Sequence, residues 1–295
     1  MNRSRLDEIE NLLSATTDAE DLTDAAGFIR RCDAIDRLEL HLGELSSPES
    51  AGCAERAAAL HPQAVALRDR LQQRNASLVQ ALRRDIRSGR CLGEDLASEL
   101  QRYRAKPSRN ETDGNLAYDH LDVLVAGVLG TDDLVDDEPG DVLPEMFPYQ
   151  PTPARIILEI VEQTDLRSHD VFVDVGSGLG IVPTVVSLLS GASSVGIEVQ
   201  PAYCRHAQEC ARRLNVSNVS FVCQDARQAD YSEGTVFYMY TPFKGAMLQQ
   251  VLERLQAEGR RRTIRLCTYG PILSEAAQQQ PLFPTFERSR PVPVQ

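Results

Sequence analysis

The sequence predicts an α/β protein: a doubly wound parallel sheet over residues 151–295, preceded by an all-helical N-terminal domain over residues 1–129. Residues 130–150 form an acidic, proline-containing linker and approach loop between them. Two observations carry this reading. Residues 6–128 are helix formers with almost no proline, whereas after Tyr149-Gln-Pro-Thr-Pro153 short apolar runs alternate with helical stretches. The chain has 295 residues, 42% of them hydrophobic, which suffices for two cores without disulfide or metal staples.

In the first region the clearest helix is 62–86, where Ala64, Leu67, Leu71, Leu78 and Leu82 recur at steps of three, four and seven and so share one face. Shorter helices are expected at 4–15, 18–45, 93–104 and 116–128. Residues 131–141 hold six carboxylates around a Pro-Gly pair, which suits a loop rather than a regular element. In the second region the apolar runs predict strands at 171–175, 194–199, 219–224, 235–240 and 263–269. Helices are expected between or before them at 156–164, 181–189, 201–214 and 245–258. Strands separated by helices of this length imply right-handed crossovers and a parallel sheet. The tail after Gly270 leaves room for one or two further strands.

Net charge is -12. The excess lies in the first half: residues 1–150 carry 29 acidic and 17 basic side chains, the remainder 14 of each. Such a module is repelled by phosphate backbones, so no nucleic-acid partner is expected, while a basic partner would be steered towards it; solubility alone is the plain alternative. No basic stretch precedes an apolar run at Met1 and no segment reaches the roughly 20 apolar residues of a membrane span, so the expectation is a soluble, cytoplasmic protein. Seven cysteines lack CxxC pairs or regular spacing, which predicts reduced thiols and no metal site. His169 and His206 likewise lack partners at ligand spacing. Only Lys106 and Lys244 are lysines, a composition that suits a GC-rich, bacterial genome.

The sharpest motif is Val171-Phe-Val-Asp-Val-Gly-Ser-Gly-Leu-Gly180, an apolar strand running into a turn with glycines at 176, 178 and 180 around Ser177. Glycine lets a ligand approach the backbone closely at the carboxyl end of such a strand. The spacing is G-x-G-x-G. A dinucleotide fingerprint would want its third glycine where Ile181 stands, and no Lys-Ser/Thr follows to make a P-loop. Three acids close three successive strands: Asp174 before the glycines, Glu198 placed to accept ribose hydroxyls, and Asp225 placed to accept from an adenine amino group. Singly each suits a helix cap or a solvated turn. Together they mark a nucleoside site.

This pattern resembles the class I S-adenosylmethionine-dependent methyltransferases, over roughly residues 148–270. The resemblance implies a Rossmann-like fold with S-adenosylmethionine as cofactor: Asp174 and the glycine turn on the methionine moiety, Glu198 on the ribose, and Asp225 with Ala226 on the adenine. Within that class, Gly176-Ser-Gly178, Gly196-Ile-Glu198 and Pro201-Ala-Tyr203 look like the non-SET histone lysine methyltransferases. Pro148-Tyr-Gln-Pro-Thr-Pro153 is similar to a segment of the ATP-synthase c-subunit lysine methyltransferases. Pro151 and Pro153 stiffen the loop around Thr152, and Tyr149 is expected over the methionine or acceptor channel; a mere tie between helical region and sheet is the alternative. Tyr240-Thr-Pro-Phe243 resembles the Asn-Pro-Pro-Phe/Tyr loop of amino-directed methyltransferases, with Tyr240 and Thr241 in place of the amide and first proline. With Phe243 and Tyr238 these residues are read as an acceptor cage suited to an ammonium, with core packing as the alternative for Tyr238. Arg260, Arg261 and Arg262 read as a solvated loop. The expected function is therefore methyl transfer to an amine, a lysine of a protein; the alternatives are a small-molecule acceptor or a non-catalytic nucleoside-binding protein. Oligomeric state does not follow from the sequence.

Overall fold

The computed structural model describes residues 3–15, 24–45, 51–104, 118–131, 145–270 and 285–286. The chain divides into two compact units, one of Met1–Arg84 with Gln101–Tyr103 and one of Asp85–Leu100 with Arg104–Gln295.

The first unit is helical: α1 (Arg3–Ala15), α2 (Ala25–Leu45) and most of α3 (Ala51–Arg87). Asp24 opens α2 by accepting from the Gly27 amide at 2.9 Å, an N-cap that satisfies one free donor of the first turn. Of the stripe read on α3, Ala64, Leu67, Leu71 and Leu82 are buried, joined by Ala57 and Leu60 upstream. The helix runs through Pro62, which removes one backbone bond from the ladder. Burial of the apolar face on both sides of that proline outweighs the lost bond. Leu6, Ile9, Leu38 and Leu42 complete this core.

The second unit begins before the expected linker. It holds α4 (Gly93–Gln101), apart from its last residue, and α5 (His120–Leu129), both of which the sequence grouping of residues 1–129 would place with the first region. There follow α6 (Ala154–Thr164), β1 (Val171–Val175), α7 (Ile181–Ser190), β2 (Ser193–Glu198), α8 (Pro201–Leu214), β3 (Val219–Cys223), β4 (Val236–Tyr240), α9 (Gly245–Gly259), β5 (Arg265–Tyr269) and the two-residue β6 (Thr285–Phe286). The six strands are parallel in the order β3-β2-β1-β4-β5-β6. Strand order therefore reverses between β1 and β4, where the crossover helices leave a crevice at the carboxyl ends of the strands.

One face of the sheet, made by Val173, Val175, Ile197, Phe237 and Met239, packs on Met247, Leu248, Val251, Leu252 and Leu255 of α9. On the other face Phe221 of β3 meets Ala207 and Ala211 of α8. The amino ends of the strands are joined by polar bonds. Asp170 accepts at one oxygen from Thr235 and from Arg265, each at 2.8 Å, and Thr235 accepts from the Val171 amide at 3.0 Å. Arg265 also donates to the Thr164 carbonyl at the end of α6. Arg262, expected in solvent, instead donates to the carbonyls of Tyr231 and Gly234, because the turn that leads into β4 presents both carbonyls to it.

Gly196 of β2 packs between Phe221 of β3 and Ser177 of the turn after β1. A Cβ there would stand 2.6 Å from both Phe221 Cδ1 and Ser177 Oγ. Gly196→Ala should lower stability by about 1–3 kcal/mol through overpacking. Chemical denaturation of the unliganded protein checks this, and an unchanged midpoint would mean that Phe221 and Ser177 yield without strain.

Candidate active site

The turn from β1 into α7 uses three glycines for three purposes. All have left-handed backbones, with φ of 87° at Gly176, 51° at Gly178 and 74° at Gly180. A Cβ on Gly176 would lie 2.4 Å from Pro242 Cβ, and one on Gly178 2.2 Å from Tyr149 Cε2. These two glycines thus let the loop after β4 and the approach loop close over the turn. Gly180 is different: its Cβ would meet Phe221 and Ala207, so it seats α7 against β3 and α8 rather than facing the crevice. The turn is tied to β2, since Gly176 and Ser177 amides donate to the Ile197 carbonyl at 2.9 and 3.0 Å.

Glu198 ends β2 and is buried. Its Oε2 accepts from the Gly178 amide at 2.8 Å and its Oε1 from the Gln200 amide at 2.9 Å, while its carbonyl accepts from Gln224 at the end of β3. Asp174 is buried beside it. Desolvation, and then repulsion from Glu198, push the Asp174 carboxyl well above the ordinary carboxylate range. The Tyr149 phenol is also raised, by burial and then by Asp174; its ring packs 5.4 Å from that of Tyr203. Thr152 is buried and shares a 3.0 Å hydrogen bond with Tyr238, so it joins the approach loop to β4. Tyr118, absent from the sequence reading, ties the same loop to the start of α5 by donating to the Pro151 carbonyl at 2.7 Å.

Asp225 stands past the end of β3, next to the Glu198 strand, with its carboxylate held by Arg227 at 2.6 Å and lowered in pKa chiefly by that bond. Ala226 packs at the edge of the core and its carbonyl accepts from Tyr231.

At the end of β4, Tyr240 packs its ring 4.9 Å from Tyr269 of β5. Thr241 is one of few non-glycine residues with positive φ, 38°, and its hydroxyl donates to the Tyr269 carbonyl at 3.3 Å. The strain is accommodated by Gly270, where a Cβ would fall 2.5 Å from Thr241 Oγ1. Two members of the expected cage are absent from the crevice. Phe243 is 4% exposed and lies in the core under α9, because after Pro242 the chain turns its next side chain towards Met247 and Leu248. Tyr238 is buried on Thr152. Tyr269 takes their place beside Tyr240. Nothing in its own segment marked it, since the pairing of β4 with β5 that brings the two rings together is a long-range contact.

His169 is exposed on its loop, and no group of three His, Cys, Asp or Glu side chains suited to a metal occurs among the described residues. Nor is any helix among them long and apolar enough to cross a membrane.

A parallel sheet reversing at β1/β4, with a glycine turn there and an acid ending β2, is the arrangement at which such sheets take up ligands, and the chain belongs to the class I S-adenosylmethionine-dependent methyltransferases. S-adenosylmethionine is its cofactor. The family model described as histone methylation protein DOT1 matches residues 147–253, which run from the approach loop into α9. Among solved structures, an RNA methyltransferase from Salinibacter ruber in complex with S-adenosyl-L-homocysteine is 31% identical over 37% of this chain and 71% of its own, with a TM-score of 0.35. A precorrin-6y C5,15-methyltransferase from Geobacter metallireducens is 17% identical over 45% of this chain and 72% of its own, with a TM-score of 0.38. A methyltransferase from Thiobacillus denitrificans, also with S-adenosyl-L-homocysteine, is 21% identical over 32% of this chain and 38% of its own, at a TM-score of 0.28. No curated protein matches the chain.

The crowding at Gly178 makes a sharp test. Gly178→Val would drive a side chain into the Tyr149 ring and force a β-branched residue to positive φ. S-adenosylmethionine binding by calorimetry should be lost while the thermal midpoint without cofactor falls only modestly; retained binding would remove the turn from the pocket.

Proposed function

We propose that the protein transfers methyl groups to an amine, a lysine side chain of a protein substrate, with S-adenosylmethionine held at the glycine turn. The residues fit that cofactor. A carboxylate offers about four acceptor sites, so the two backbone bonds at Glu198 leave room for two ribose hydroxyls. Asp174, with its raised pKa, becomes a stable anion once a cationic group such as an α-ammonium reaches it. Ser177 Oγ is buried without a partner beside the turn. Asp225 and Ala226 follow the strand next to Glu198, where the adenine would lie. When bound, the cofactor supplies a methyl already activated on a sulfonium. What remains for the chain is to exclude water and to align the acceptor with the S–CH3 bond.

The observation that carries the amine reading is the tyrosine pair. Tyr240 and Tyr269 set two rings at the ends of β4 and β5, next to Thr241 and the turn, and their π faces suit an ammonium or methylammonium group on its way to the methyl. Tyr149 lies against Gly178 of the turn. The matched family description supports a protein acceptor, and the acidic balance supports a basic one over nucleic acid. Incubating lysate from a deletion strain with the enzyme and labelled cofactor tests this. A labelled protein band is expected; label confined to the small-molecule fraction would favour a metabolite instead.

Two outcomes follow. The raised carboxyl of Asp174 holds in the folded state a proton that the unfolded chain releases, so stability falls as pH rises from the ordinary carboxylate range through that raised value. Asp174→Asn should raise the thermal midpoint of the unliganded protein at neutral pH, with the gain vanishing in acid, and should weaken S-adenosylmethionine binding by at least about tenfold. A pH-independent midpoint difference, or wild-type affinity, would contradict the role given to this acid. The second concerns Asp132, Asp133, Asp136, Asp137, Glu138 and Asp141, which lie outside the described residues. With a lysine-bearing protein acceptor, turnover at limiting substrate should drop steeply with salt, and Asn or Gln at these six positions should flatten the dependence without changing cofactor affinity. A salt-independent rate would remove the electrostatic support for a protein acceptor.

A further inference from the structure

Helix α9 follows directly on the loop that ends β4, and its first turn lacks a local cap. Its N-cap position is Lys244, which has no acceptor to offer, and no acid occurs in the first turn. The missing acceptor comes from about a hundred residues upstream. Glu145 Oε1 accepts from the Ala246 amide at 3.0 Å and Oε2 from the Met247 amide at 2.9 Å, so one carboxylate satisfies two donors at the positive end of the helix. Gly245, at φ 60°, makes room for it: a Cβ there would lie 2.5 Å from Glu145 Oε1.

The carboxylate sits within a wider seam. Lys244 donates its amide to the Glu145 carbonyl at 2.8 Å, Phe147 donates to the Pro242 carbonyl at 3.1 Å, and Met146 pairs with Phe243 in an antiparallel bridge. The Lys244 ammonium lies 5.4 Å from the centre of the Phe147 ring. Thus the approach segment and the loop after β4 are sewn together. Both also touch the glycine turn, the first through Tyr149 on Gly178 and the second through Pro242 on Gly176.

We propose that Glu145 is a positioning residue for the cofactor pocket: its carboxylate latches the approach segment to the head of α9, so that Tyr149 and Pro242 close on the glycine turn as one unit. Glu145 touches neither cofactor nor acceptor. It acts through Thr241–Lys244 on one side and Tyr149 on the other, and it rests on the placement of the cofactor at Gly176 and Gly178 proposed above.

The probe is S-adenosyl-L-homocysteine, titrated calorimetrically into the full-length protein. Glu145→Ala should weaken binding about tenfold, the ratio to which loss of a helix cap converts, and Glu145→Gln, which keeps one acceptor oxygen, should fall between it and the wild type. Amide hydrogen exchange at Ala246, Met247 and Phe147 should quicken in the same order. Val251→Ala removes methyls from the buried face of the same helix and controls for general destabilisation. Its midpoint should fall, yet its affinity should stay within about twofold of wild type, a difference well under 1 kcal/mol. The latch is overturned by wild-type affinity in folded Glu145→Ala, or in Glu145→Gln should the alanine variant not fold. An equal loss in Val251→Ala overturns it as well. Gly178→Val separates the two readings: if that variant also retains binding, the placement of the cofactor fails with the latch; if it loses binding while Glu145→Ala does not, only the latch fails.

Discussion

The site depends on the way one buried carboxylate is shared. Glu198 spends an oxygen on each of two turns, the glycine turn after β1 and the turn into α8, while its own carbonyl fixes the end of β3. Charge-assisted bonds to backbone amides offset the cost of burying the charge, and they do so where three strands end together. The glycine turn then has little freedom. It is held from below by the Ile197 carbonyl, from the side by Glu198, and from above by Tyr149 and Pro242. A pocket bounded in this way is shaped before any ligand arrives, so the loss of conformational entropy on binding is small.

That order has an electrostatic cost. Placing Asp174 beside Glu198 in a desolvated crevice puts two acids where only one is comfortably ionised. The unliganded protein therefore carries frustration that the cationic group of the cofactor would relieve on the placement proposed above, which would tie its affinity to a defect in stability. Thr241 is a smaller case of the same kind. Its left-handed backbone is kept by Gly270 and by the Tyr269 carbonyl, and it directs the chain so that Pro242 reaches Gly176.

Most of the second unit was legible in the sequence because its signals are local. An apolar run of five residues, a glycine triplet and an acid at a strand end can be read without knowing what lies across the sheet, and β1 and α8 fall where the residues put them. Long-range facts were not legible. Phe243 follows an aromatic-rich motif that suggests ligand contact, yet the turn of the chain at Pro242 sends it into the core. Tyr269 and Glu145 look ordinary in their own segments and gain meaning only from β5 lying beside β4 and from α9 starting beside the approach loop. The helices α4 and α5 have the composition of the first region but associate with the second unit. Composition reports how a segment folds locally; it does not report which core receives it.

The bonds at the amino ends of the strands, where Asp170, Thr235 and Arg265 meet, bear on how such an enzyme can change over evolutionary time. They anchor β1, β4 and β5 at the edge farthest from the crevice, so the crevice ends of these strands do not have to hold the sheet together. Substitutions of the rings at those ends, Tyr240 and Tyr269, can be sampled without unfolding the domain, while the half of the crevice bound up with Glu198 tolerates little. On the placement proposed above, a fold anchored in this way could exchange one acceptor for another more readily than it could exchange its methyl donor.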